Sequence, residues 1–273
     1  MKPGPIGVFD SGYGGLTILK ELVAQLPEYD FVYLGDNARS PYGNRSSETV
    51  TLYTQQCVQA LFAMGCNLII LACNTASAKA LRFIQQNYLP VVEPKKRVLG
   101  VIRPTSEKVG QYSVTKHIGI LGTTGTIASL SYPIEIEHFF PDVKVYQQEC
   151  PMLVPLVENN EYNSPGSDYF IKKYIDALFL QSDKIDTLIL GCTHYPLLLA
   201  KIKQYLPNHI TLLSQSEIVA QSLKDYLHRH PELERYCQKH SDRQFYTSDD
   251  PASFNRMAGI FYGEEVVSHH IEI

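Results

Sequence analysis

The chain has no tryptophan, only four methionines, and six cysteines with no C-x-x-C pair among them. Without close pairing there is no zinc-ribbon or dithiol-redox spacing, and six thiols scattered over 273 residues do not form the dense disulfide framework of a small secreted domain. Cys57, Cys66, Cys73, Cys150, Cys192 and Cys237 therefore read as free thiols. No apolar run approaches the ~18 residues of a membrane-spanning helix. The opening stretch "MKPGPIGVFD" has no apolar signal core, so the expectation is a cytoplasmic protein without membrane contact. Cationic clusters are missing too: 24 Lys and Arg against 28 Asp and Glu, spread along the chain, leave a net charge of −4 and no face for nucleic acid.

What is present is 44% hydrophobic residues, enough for one large core or two smaller ones. Short apolar runs alternate with amphipathic segments. "IGVFD" (6–10), "FVYLGD" (31–36), "LIILAC" (68–73), "HIGILG" (117–122), "VKVYQQ" (143–148), "TLILGC" (187–192) and "ITLLSQ" (210–215) read as strands. Helical spacing predicts helices near 16–26, 47–64, 76–87, 126–139, 168–180, 197–206 and 217–227. Strand, helix, strand is the pattern of βαβ units, so the fold class is α/β with mostly parallel sheets.

A second regularity overlies the first. Ile6–Ser11 lines up with Ile118–Thr123 at an offset of 112, and Leu68–Thr75 with Thr187–His194 at an offset of 119. Two blocks recurring at nearly one offset predict two similar halves. The expected division is 1–98 with 209–273 as a discontinuous first α/β domain and 99–208 as a second, crossing near "VVEPKKRVLGVIRP". Ligands of parallel sheets bind beyond the C-terminal strand ends, so facing halves would place Cys73 and Cys192 on opposite walls of one cleft.

A lone cysteine after an apolar strand is usually packing, and Cys57, Cys66, Cys150 and Cys237 are read that way. Cys73 and Cys192 precede polar groups, "NTAS" and "THYP", and an expected helix N-terminus, which lowers a thiol's pKa; for them, catalysis and packing both stand. "VFDSGYGGLT" has glycines between a strand and a helix, but Thr17 falls where a dinucleotide fingerprint needs its third glycine. It reads better as a small-anion loop, with Ser11 and backbone N–H groups holding a carboxylate and Asp10 taking a proton or an ammonium, or else as a tight turn capped by Asp10. His194, two residues past Cys192, is placed to tune that thiol. Cysteine hydrolases use one nucleophile, which leaves a second equivalent thiol unexplained. Inverting a stereocentre does need two, because one acid–base group reaches only one face of a carbon.

"FDSGYGG", "ACNTA" and "GCTHYP", with "PYG" and "VPLVE" between them, closely resemble the glutamate racemases of the cofactor-independent aspartate/glutamate racemase superfamily. The resemblance runs from about residue 5 to the end of the chain and implies two pseudo-symmetric domains with the active site between them. It implies that Cys73 exchanges the α-proton with the D-enantiomer and Cys192 with the L-enantiomer, assisted by Asp10 and His194 respectively, with Glu158 as a further carboxylate. It assigns Asp10, Ser11, Tyr42, Gly43, Asn74, Thr75, Thr193 and His194 to the substrate's charged groups, with Thr123 as an additional contact. A cytoplasmic homodimer supplying D-glutamate for peptidoglycan, without metal or other cofactor, is the implied context. An aspartate racemase, or a two-lobed protein that binds an acidic amino acid without chemistry, are the alternatives. Thr105 stands where the family often has glycine, Asn37 where threonine is common, and "EPKKR" (93–97) looks like a short insertion.

Overall fold

The computed structural model describes residues 1–273 and contains ten strands in two all-parallel sheets. In chain order these are β1 (Ile6–Asp10), β2 (Phe31–Gly35), β3 (Leu68–Leu71), β4 (Arg97–Gly100), β5 (His117–Gly122), β6 (Lys144–Glu149), β7 (Thr187–Gly191), β8 (Thr211–Leu213), β9 (Arg243–Thr247) and β10 (Ser268–His270). One sheet runs β10-β9-β2-β1-β3-β4 and the other β6-β5-β7-β8. Four consecutive strands of the first, β2-β1-β3-β4, repeat the whole order of the second with each strand replaced by its counterpart.

The register carries the internal repeat. Val8 pairs with Tyr33 and Ile70, and its counterpart Ile120 pairs with Gln147 and Ile189. Every residue of β1, β2, β3 and β7 is buried, which is why these strands are continuous apolar runs: helices cover both faces of each sheet.

The expected division at 98 and 208 does not follow the strand pairing. It cuts through β4, whose register with β3 spans Leu68↔Arg97 to Leu71↔Gly100, and it leaves β8 with the first half although β8 pairs with β7. Sheet membership changes after Gly100 and changes back after Leu213, because β4 and β8 close their respective βαβ series.

The helices differ from expectation where caps or left-handed residues intervene. The expected 126–139 helix is two, Thr124–Ala128 and Ser131–Phe139, parted at Leu130, which has φ 56°. The 76–87 segment begins earlier, as Asn74–Lys79, and continues through a π-turn at Ile84–Tyr88 to Val92. Ser164 caps the helix Pro165–Phe179 by accepting from the Ser167 N–H, with Pro165 in the first turn. The helix Pro251–Tyr262, capped by Asp250 and ended at Gly263 with φ 87°, was not among the expected elements; nor were β4, β9 and β10. A single core cluster contains Ile6 and Val8 of the first sheet together with Leu188 and Leu190 of the second, so the halves share an interior. No helix is long and apolar enough to cross a membrane.

Candidate active site

The C-terminal ends of β1, β3, β5 and β7 open onto one cavity. Ser11 and Cys73 line it from the six-stranded sheet, Thr123 and Cys192 from the four-stranded sheet. On the first side Asp10, the last residue of β1, is 1% exposed, and its Oδ1 accepts the Gly12 N–H at 2.9 Å. Burial raises the Asp10 pKa above the carboxylate norm, against the pull of His194 and of the Gly12 and Gly15 N–H groups. Cys73 lies 3.5 Å from the Ser11 hydroxyl and accepts the Ala76 N–H at 3.4 Å, capping the helix Asn74–Lys79.

The expectation that this helix start lowers the thiol's pKa fails for Cys73. Burial, followed by the neighbouring Asp10 carboxyl, pushes it up to about 12, and the Ser11 hydroxyl and Ala76 N–H only moderate the rise. One short helix does not outweigh the loss of solvent around the sulfur.

On the second side Cys192 follows β7 directly, and a 3₁₀ turn begins only at Tyr195. His194 Nδ1 is 3.9 Å from Cys192 Sγ, and its Nε2 is 3.0 Å from Glu158 Oε1. Glu158 ends the short helix Leu153–Glu158, so the ring is held between a thiol and a carboxylate. Burial alone would lower the His194 pKa, but the Cys192 and Glu158 contacts win and raise it to about 10. Both contacts favour the protonated ring, which packs T-shaped with Phe261 at 5.2 Å between ring centres.

Several contacts cross between the halves. The Thr193 hydroxyl donates to Asp10 Oδ2 at 3.5 Å, and Thr75 and Thr123 share a hydrogen bond of 2.9 Å. The Gly43 carbonyl accepts the Gly125 N–H at 2.7 Å. Gly14 shows why "DSGYGG" needs its glycines: a Cβ there would lie 2.2 Å from Thr193 Oγ1 and 2.5 Å from His194 Nδ1. Close approach between the halves, and not a tight turn alone, excludes a side chain.

Tyr42 and Gly43 lie on the cavity wall, but the Tyr42 hydroxyl donates to buried Asp36, which also takes Arg39 Nε at 2.7 Å and the Ser248 hydroxyl at 2.7 Å. This loop offers the cavity its backbone, and the phenol serves to anchor it. Asn74 and Thr75 are each 2% exposed. Cys150, read in the sequence as packing, is buried yet also on the cavity wall. Cys57, Cys66 and Cys237 are buried away from it. Tyr132 and Gln215, which support the wall, carry no sequence signal, because each meets its partners only across the fold. No three His, Cys, Asp or Glu side chains converge on a common point as metal ligands would.

The model of the Asp/Glu/Hydantoin racemase family matches residues 6–223. A glutamate racemase of Enterococcus faecalis is 40% identical over 263 residues, covering 95% of this chain and 92% of that protein. The crystal structure of a glutamate racemase isoform from Bacillus anthracis superposes with a TM-score of 0.90 at 33% identity, covering 100% of this chain and 99% of that one. The Francisella tularensis glutamate racemase, solved with D-glutamate, gives 0.86 at 30% identity over 100% of this chain and 98% of that one. Two sheets with a shared four-strand order, opposed thiols at equivalent strand ends and likeness along the whole chain agree: the protein belongs to the Asp/Glu/hydantoin racemase family.

Proposed function

We propose that the protein interconverts L- and D-glutamate by exchanging the α-proton between two thiols. The observation that carries this is the placement of Cys73 and Cys192 on one cavity, from equivalent strand ends of opposite sheets. With L-glutamate, a Cys192 thiolate takes the α-proton and becomes a thiol. The Cys73 S–H delivers a proton to the opposite face and becomes a thiolate, and the pair is reset by proton exchange after product leaves. Between the two transfers the carbanion is stabilised by hydrogen bonds to its carboxylate. Ser11, Asn74, Thr75, Thr193 and the Tyr42–Gly43 backbone hold the charged ends of the substrate, with Thr123 completing the wall.

The halves prepare the thiols differently. His194, held between Cys192 at 3.9 Å and Glu158 at 3.0 Å, puts an acid–base ring against the second thiol. Cys73 sits with Asp10 and Ser11 in a desolvated corner where a proton is retained. One base and one acid are what a turnover requires at its start. Two acid–base groups suffice for the exchange, so the reaction is assigned to the protein's own residues without metal or pyridoxal phosphate.

L-Glutamate followed by polarimetry after dialysis against chelator should lose rotation, with solvent deuterium appearing at the α-carbon. Binding without deuterium uptake would identify a non-catalytic acidic-amino-acid receptor. Aspartate differs by one methylene, worth about 1–3 kcal/mol in a pocket, and rates measured side by side should favour glutamate. The wider reading is a cytoplasmic homodimer supplying D-glutamate for peptidoglycan, which light scattering and D-glutamate auxotroph complementation test.

A further inference from the structure

Next to Cys73, the carboxamide of Asn74 belongs to a closed ring of hydrogen bonds. Asn74 Nδ2 donates to Gln215 Oε1 at 2.8 Å, Gln215 Nε2 donates to the Tyr132 hydroxyl at 2.6 Å, and that hydroxyl donates to Asn74 Oδ1 at 2.7 Å. All three side chains are buried, at 2%, 4% and 0% exposure for Asn74, Gln215 and Tyr132. Every bond runs in the same sense around the ring, so each polarises the next. The sense also sets the amide: a flipped Asn74 would bring its oxygen against Gln215 Oε1, two acceptors in contact.

Gln215 is itself held from outside the ring. Its Nε2 also contacts the Val101 carbonyl at 3.2 Å and Thr105 Oγ1 at 3.0 Å, and Thr105 donates its own proton to Val101 O at 3.2 Å. Thr105, one of the sequence's departures from the family it resembles, thus supplies an acceptor that glycine lacks. The placement is topological as well as local. Val101 and Thr105 lie where the chain leaves the six-stranded sheet, in and before the helix Ile102–Val109. Gln215 opens the helix Gln215–Arg229, by which the chain leaves the four-stranded sheet. Tyr132 belongs to the helix Ser131–Phe139, between β5 and β6 of the second half. One amide therefore touches both crossings and the residue beside a reactive thiol.

We propose that Gln215 is a positioning residue for Asn74. It takes one Nδ2 hydrogen and, through Tyr132, orients the carboxamide so that the other remains a donor for the substrate. This rests on the racemase reading above, in which Asn74 holds a charged group of glutamate. Steady-state kinetics with both enantiomers on Gln215→Leu and Tyr132→Phe, each alone and combined with Asn74→Ala, test the assignment together with ¹H–¹⁵N spectra of the Asn74 side-chain amide. Each single variant should raise KM for both enantiomers about tenfold with a smaller change in kcat. Each should add less than about twofold on top of Asn74→Ala, since both changes remove one function. The Asn74 amide signals should shift and exchange faster with solvent in both variants. An unchanged KM, or penalties that multiply fully in the double variants, would overturn it. Should the wild-type protein not racemise glutamate, the racemase reading fails by itself and the spectra decide: unmoved Asn74 signals in Gln215→Leu refute the positioning role. If that variant does not fold, Tyr132→Phe, which breaks the same ring with little change of volume, is read in its place by the same two outcomes.

Discussion

At the scale of single residues, His194 decides most. Its proton is held up to about pH 10 in the folded chain, whereas an unfolded histidine releases it near ~6.5. The native state binds the proton more tightly, so the stabilisation is fully present below pH ~6.5 and is lost as pH rises toward 10. Glu158→Gln removes the charged partner at 3.0 Å and should cost about 1.5–3 kcal/mol at pH 7, measured by urea denaturation. The gap between variant and wild type should close by pH 10.5; a gap independent of pH would show that the imidazole is not the cation. The thiols give a second expectation: Cys73→Ser and Cys192→Ser should each lower racemisation by at least about 10²-fold. Wild-type turnover in either would remove that sulfur from the mechanism. Both cysteines were legible in the sequence because an offset of 119 repeats them after matching apolar strands. Their neighbours were legible in part: His194 from its place two residues past Cys192 and Glu158 only through the family resemblance, whereas Gln215, which reaches Asn74 across 141 residues, was not.

At the scale of elements, the loop from β1 into the helix Leu16–Gln25 is pressed against the Thr193–His194 segment. Gly14→Ala places a methyl 2.2 Å from Thr193 Oγ1, and the segment that carries His194 has to give way. We expect about 1–3 kcal/mol of lost stability and a larger proportional loss in kcat/KM than in fraction folded, compared by thermal melting and kinetics on the same preparation. Equal losses would mean that the methyl harms folding only. Elements with a strong apolar period or a clean cap were readable: β1, β3, β5 and β7 are continuous apolar runs. β9, "RQFYT", was not, because as a strand between β2 and β10 it mixes buried Phe245 and Thr247 with part-exposed Arg243 and Tyr246. The break at Leu130 was invisible because a left-handed leucine has no residue-type signature.

At the scale of the whole molecule, the division into halves was visible as a repeat, while its borders were displaced by the two terminal strands, β4 and β8. Both are short: "RVLG" sits in a Pro- and Lys-rich stretch, and "TLL" is three residues long. The core does not respect the division, since one cluster joins Ile6 and Val8 to Leu188 and Leu190, and the chain passes between the sheets twice. Unfolding should therefore be a single transition, with far-UV circular dichroism and the fluorescence of the 18 tyrosines giving the same midpoint. Two separated midpoints would show that the halves melt independently. The two sheets share a four-strand order, yet the thiol of one stands with a carboxyl and a hydroxyl and that of the other with an imidazole. The mirror-image forms of an amino acid have equal free energies in water, so the equilibrium constant between them is unity. Thermodynamics then requires kcat/KM to be the same from either side. Whatever advantage the unlike surroundings of Cys73 and Cys192 give to turnover of one enantiomer must be returned, in full, as weaker saturation by it.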